Sequence, residues 1–220
     1  MRLILFDCDG TIVDSQQAII TGMTRAMVQV GLEPVADTDI LKTIGLSLEA
    51  AVELYLPDSS VQQRTDLIEA YKSIATEIAA QEDRGEAVFP GMGELIHDLA
   101  AEQDTLLGIV TMKSRRGVRR VCKTHGFENV FHVLKSADDG PGKPNPQLIL
   151  DAMDELGVTP GQTVMIGDTV YDMAMAKNAG VLPIGVSWGY NPVSDLRAYG
   201  AEHIAESSFD LSKMLKNIYL

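Results

Sequence analysis

The sequence has few cysteines, few positive charges and no long apolar run. Its 220 residues include two cysteines, Cys8 and Cys122. Two cysteines cannot build a disulfide framework, and nothing in the pattern calls for an oxidising compartment. Lysine and arginine number 18 against 31 aspartates and glutamates, which leaves a formal charge of −13. A nucleic-acid surface or an anionic membrane face needs clustered Lys and Arg, so both are excluded as partners. No stretch approaches the roughly 20 apolar residues of a membrane span. The opening run Met1–Phe6 meets Asp7 too soon for a signal peptide, whose apolar region needs about 7–15 residues, and the cytoplasm is the expected location. There are no internal repeats and no low-complexity tracts. What is present is the composition of a globular chain, 45% hydrophobic and 22% charged. The length suits one good-sized domain, or one domain with a smaller insertion.

The apolar run Leu3–Phe6 reads as a buried strand ending in the tight loop Asp7-Cys8-Asp9-Gly10-Thr11. From about Ser15 to Ala80 the spacing is helical throughout. Ile19, Met23, Met27 and Val30 mark a first helix closed by Gly31. Ile40, Leu41 and Ile44 mark a second, stopped by Gly45. Ser47 caps a third that ends before Pro57. Val61–Ala80 forms a fourth. After Gly85 strand and helix alternate. Strands are expected at Thr105–Thr111, Val130–Lys135, Thr163–Gly167 and Leu182–Val186. Helices are expected at Met92–Ala101, from Ser114 to Gly126, from Pro146 to Leu156 and at Tyr171–Ala179. Alternation of this kind predicts a mostly parallel sheet covered by helices, with an all-helical insertion after the first strand.

Ligands of such sheets bind at the carboxyl ends of the strands. The polar residues falling there are Asp7 and Asp9, Thr111, Lys143 in the loop before the Pro146 helix, and Asp168, with Asp172 one helical turn on. Four carboxylates at one edge repel one another unless a hard divalent cation neutralises them, and Mg²⁺ is the usual choice beside phosphate. With such an ion the set fits phosphoryl transfer. One carboxylate attacks phosphorus and a second donates a proton to the leaving oxygen. Lys143 and the Thr111 hydroxyl hold the equatorial phosphate oxygens. Cys8, between the two acids, reads as a buried, inert thiol, and the methionines at 23, 27, 173 and 175 as core. Asp14 reads as a cap for the first helix. The histidines 97, 125, 132 and 203 show no ligand spacing. Trp188-Gly189-Tyr190, after the strand at Leu182–Val186, is placed either at the rim of the site or in packing.

These residues resemble the haloacid dehalogenase superfamily in its phosphatase branch. Asp7-Cys8-Asp9-Gly10-Thr11-Ile12-Val13-Asp14-Ser15 is similar to its first motif, Thr111 to the second, Lys143 to the third, and Gly167-Asp168-Thr169-Val170-Tyr171-Asp172 to the fourth. Phosphoglycolate phosphatases are the nearest look-alikes. The resemblance implies a three-layer Rossmann-like α/β core, residues 1–14 and 85–220, with a helical cap, residues 15–84, inserted after the first strand. It implies that Asp7 forms an aspartyl-phosphate and that Asp9 protonates the leaving group and then activates water. Asp7, the Asp9 carbonyl and Asp168 hold Mg²⁺, and Asp172 supports the metal or orients Lys143. Thr111, Met112, Lys143 and Gly10 line the phosphate site, and Gly10 and Thr11 shape the loop that lets the cap move. Met112 departs from the pattern, because the residue after the motif-two threonine is often Asn or Ser and a thioether is a poor hydrogen-bond partner. It can instead face an apolar part of the substrate.

The resemblance also supplies rivals. Dehalogenases and phosphonate hydrolases lack the second acid, here Asp9. Sugar-phosphate mutases keep it but place an Arg in the cap loop for a second phosphate, and in Gly45-Leu46-Ser47-Leu48-Glu49 that place falls to Leu48. A non-catalytic phosphate-binding protein on the same fold would be marked by loss of Asp7, Asp9 or Lys143, and all three are present. The expected function is therefore Mg²⁺-dependent hydrolysis of a small phosphorylated metabolite, phosphoglycolate or a similar ester.

Overall fold

Leu3–Phe6 is apolar at every position, which suits a strand covered on both faces. In the computed structural model, which describes residues 1–81 and 86–218, it lies in strand β1 (Arg2–Phe6), and these four side chains have no exposed surface. The loop beyond it closes on the carbonyl of Cys8, which accepts from the amides of Ile12 and Val13. A two-residue ribbon follows, in which β2 (Val13–Asp14) pairs antiparallel with β3 (Ala87–Val88). Between these strands run α1 (Gln16–Gln29), α2 (Asp37–Thr43), α3 (Leu48–Tyr55) and α4 (Val61–Gln81). The chain thus leaves and re-enters the sheet region side by side. The four helices share an apolar cluster of their own, built on Met23, Met27, Ile40, Val52, Leu67 and Ile74. Ser47 caps α3 by accepting from the Ala50 amide at 3.2 Å. Gly85, where the pattern changes, lies outside the described residues.

Alternation then holds as expected through α5 (Met92–Ala100), β4 (Thr105–Val110), α6 (Arg115–Thr124), β5 (Val133–Lys135), α7 (Gln147–Leu156), β6 (Thr163–Gly167), α8 (Val170–Ala179) and β7 (Leu182–Val186). β5 is shorter than predicted because Val130 belongs to a turn, its amide bonding the carbonyl of Phe127. Among the described residues α9 (Val193–Ala198), β8 (His203–Ala205) and α10 (Ser208–Ile218) follow. The six-stranded sheet has the order β5-β4-β1-β6-β7-β8, and every pairing is parallel. Successive β1 side chains point to opposite faces. Ile4 and Phe6 meet Leu95, Val118 and Leu211 on one face, while Leu3 and Leu5 meet Leu148 and Met175 on the other. The core is a three-layer α/β structure. β1 is central, with β4 on one side and β6 on the other, so the strand order reverses at its carboxyl end, where open α/β sheets bind ligands. No helix among the described residues is long and apolar enough to cross a membrane.

Candidate active site

The residues singled out at the strand ends converge. Asp7 follows β1, Thr111 follows β4, Asp168 follows β6, and all three are buried, as are Lys143 and Asp172. Lys143 Nζ stands 2.9 Å from Asp7 Oδ2 and 2.6 Å from Asp172 Oδ1. The other Asp172 oxygen accepts from the Thr169 amide at 3.0 Å and the Thr169 hydroxyl at 2.6 Å, which closes a capping box at the start of α8. Asp168 accepts from the Thr11 hydroxyl at 2.9 Å and from the Tyr190 amide at 2.9 Å. Asp7 Oδ1 accepts from the Cys8 amide at 2.7 Å.

The charges in this pocket do not balance. Burial pushes the Asp7 carboxyl up to about 6; Lys143 opposes the rise, and Asp172 adds to it. Burial, Asp172 and Asp7 together hold Asp168 well above the usual carboxylate range. Burial alone would discharge Lys143, but Asp172 and Asp7 outweigh it and keep it above its ordinary value. Asp7, Asp168 and Asp172 each offer an oxygen, and these oxygens lie within 4.8 Å of one another. With all three ionised, three carboxylates against one ammonium leave two negative charges in a buried space. A hard divalent cation with oxygen ligands fits that donor set and that deficit.

The backbone makes room for the cluster. Gly10 sits at φ +79°, and a Cβ there would lie 2.2 Å from Asp168 Oδ2. The helical segment closes over the same edge. Gly45, at φ +97°, packs so near Thr169 that a Cβ would meet its hydroxyl at 2.7 Å. A side chain at Gly142 would strike Ser47 Cβ at 2.9 Å and Met112 Sδ at 3.2 Å. Gly142, in the loop carrying Lys143, thus packs against both Ser47 of the helical segment and Met112. Tyr171 reaches across to the Lys42 carbonyl at 3.2 Å.

Asp9 stands apart from this cluster. Its side chain turns to Lys113, with Oδ1 at 2.6 Å from Nζ, and the same Nζ lies 3.0 Å from Glu86 Oε1. Sequence reading missed both Lys113 and Glu86. The signal for Lys113 was present, two residues past Thr111 at a strand end. Glu86 carries no local signal, because only the return of the chain through β3 brings it there. Burial works against the charge of Lys113, but Asp9 and Glu86 outweigh it and hold it above its usual range. Trp188 and Tyr190 also bear on the site. Trp188 Nε1 donates to the Thr11 carbonyl at 3.1 Å, and the Tyr190 hydroxyl accepts from the Ser15 amide at 2.9 Å. Asp14 Oδ1 accepts from the Gln16 amide at 3.2 Å at the entry to α1. Burial raises the Cys8 thiol well above its ordinary value, as an inert cysteine requires.

An open parallel sheet with buried aspartates at its switch point is a ligand site of the α/β class. The chain matches the haloacid dehalogenase-like hydrolase family over residues 4–186 and belongs to it. A Dickeya dadantii protein named "Probable phosphatase IndB" is 32% identical over 208 residues, covering 93% of this chain and 89% of that one. A phosphoglycolate phosphatase of Pseudomonas putida is 28% identical over 193 residues, 86% of this chain and 71% of its own. The crystal structure of a hydrolase from Pseudomonas syringae superposes with a TM-score of 0.87 at 24% identity, covering 99% of each chain, and so shares the fold.

Proposed function

We propose that the protein is a Mg²⁺-dependent phosphatase acting on a small phosphate monoester, with the helical segment as a cap over the site. The observation that carries this reading is Lys143, buried between Asp7 and Asp172 beside Asp168. That arrangement supports a carboxylate nucleophile next to a fixed cation and a divalent-ion site. Asp7 attacks phosphorus, the ester P–O bond breaks, and Asp9 gives its proton to the leaving oxygen. Asp9 then takes a proton from water, which attacks the aspartyl-phosphate and releases phosphate and the Asp7 carboxylate. Lys143 and Thr111 hold the phosphate oxygens, Gly10 leaves space beside them, and Asp172 fixes Lys143. Asp7, Asp168 and the Asp9 carbonyl would hold Mg²⁺, which supplies charge neutralisation at the phosphoryl group. The names of the relatives support phosphoglycolate or a similar metabolite as substrate. The experiment is hydrolysis of a panel of phosphate monoesters with Mg²⁺ and after chelation. Turnover should require the ion and vanish in Asp7→Asn. Turnover that survives either change overturns the reading.

A further inference from the structure

Lys113 is a second lysine at this sheet edge, partly buried with 12% of its side chain exposed, and none of the roles above uses it. Its ammonium touches one oxygen of Asp9 at 2.6 Å and one of Glu86 at 3.0 Å. Glu86 Oε1 in turn faces Arg120 Nη2 at 3.5 Å, and the Glu86 carbonyl meets His125 Nε2 at 2.8 Å. Glu86 immediately precedes β3, the strand by which the chain returns from the helical segment. The Lys113 stem runs past Gly117, where a Cβ would come within 3.0 Å of its Cγ, so the first turn of α6 leaves it a channel.

We propose that Lys113 is a positioning residue for Asp9, anchored by Glu86, and that it fixes which carboxylate oxygen exchanges protons with the leaving group. The inference rests on the phosphatase reading given above. A carboxylate on a short side chain at the tip of a loop can rotate about two bonds. Proton transfer needs one oxygen within hydrogen-bond reach of the ester oxygen. Lys113 occupies Oδ1, and among the described residues Oδ2 makes no hydrogen bond, while the side chain keeps 13% of its surface open. The lysine thereby leaves Oδ2 as the working oxygen. Because Glu86 immediately precedes β3, where the chain returns from the helices, the same contact ties the aim of Asp9 to the seat of that segment.

A leaving-group series tests this. An alkyl phosphate needs a proton on its departing oxygen, whereas a dinitrophenyl phosphate scarcely does. Lys113→Met should lower kcat/KM for the alkyl ester by about 100-fold, the lower end of what positioned acid catalysis supplies. The loss for the dinitrophenyl ester should stay under about fivefold on the same reasoning. Lys113→Arg, which keeps the charge and the donor, should restore much of the alkyl-ester rate. Glu86→Gln, a milder change, should show the same bias in smaller measure and covers the case in which Lys113→Met does not fold. Equal losses on both esters, or none, overturn the positioning role and leave the phosphatase reading intact. A wild-type chain that cleaves neither ester overturns both.

Discussion

Asp7→Asn should abolish turnover and yet make the metal-free protein more stable at neutral pH. In the fold, burial pushes the Asp7 carboxyl up to about 6, against 3.8 when exposed. That gap of about two units corresponds to about 3 kcal/mol at most. The sign follows from proton binding. A carboxyl raised in the folded state holds its proton longer than in the unfolded chain, so stability falls as pH rises from the lower value to the higher. Above pH ~6 the cost is paid in full. Asn keeps the size of the side chain and removes the titrating charge, while Lys143 retains Asp172 at 2.6 Å. In EDTA at pH 7.5 the variant should gain up to about 3 kcal/mol, or roughly 6–12 °C in melting temperature for a chain of this length. At pH 4.5 the gain should shrink to about 1 kcal/mol. Thermal unfolding followed by circular dichroism at the two pH values, with phosphate release measured alongside, is the assay. A variant no more stable than wild type at pH 7.5, or equally favoured at both pH values, would refute the reasoning.

Removing the other side of the balance should act in the opposite sense. Lys143→Met leaves Asp7 and Asp172 buried without their cation, and urea titration at pH 7.5 should show a loss of about 3–5 kcal/mol. Mg²⁺ at pH 7.5 should raise the melting temperature of the wild type more than that of Asp7→Asn, because the substitution removes a ligand oxygen and the charge the ion offsets; equal shifts would place the ion elsewhere. Gly10→Ala puts a methyl group 2.2 Å from Asp168 Oδ2 at a left-handed backbone position, and the Mg²⁺ concentration for half-maximal activity should rise by about tenfold or more. Gly45→Ala drives the helical segment off Thr169, whose hydroxyl lies 2.7 Å from the added Cβ. A displacement near 1 Å should cost roughly 100-fold in kcat/KM while the melting temperature of the core changes little.

Legibility in the sequence followed the length of each signal. The strand at Leu3–Phe6 and the helix closed by Gly31 are readable because apolar period and end signal agree over several residues. The pair β2 and β3 spans two residues a side, too short for any period, and its partners lie more than seventy positions apart. β8 has three residues, again too short for a period, whereas Leu211 and Leu215 in α10 stand at helical spacing. Asp7, Asp9, Thr111, Lys143, Asp168 and Asp172 could be placed at one edge because strand-end logic needs only the strand. Which carboxylate faces which lysine could not be, since that depends on side-chain direction and on the return of Glu86 from a distant part of the chain.

The distribution of charge separates two tasks that the sequence runs together. The chain carries −13 overall, and four of its acids meet at one sheet edge, which reads as a single acidic pocket in need of an ion. In the fold they form two groups. Asp9 pairs with Lys113, and Lys113 with Glu86, which also faces Arg120; once Asp9 has given up its proton, two acids and two bases make a neutral chain. Among the described residues, Lys143 is the one cation paired with the other group, to Asp7 and Asp172, and Asp168 beside them makes no ion pair. The deficit of two charges therefore belongs to one side of the site, and a divalent ion is called for there and not at the Asp9 carboxylate. That division suits the chemistry proposed. The nucleophile and the phosphoryl group gain from a concentrated positive charge close by, where low dielectric makes it count. The group that passes a proton gains from a neutral setting and a fixed direction, and a second metal-like charge on Asp9 would hold its working oxygen away from the leaving group.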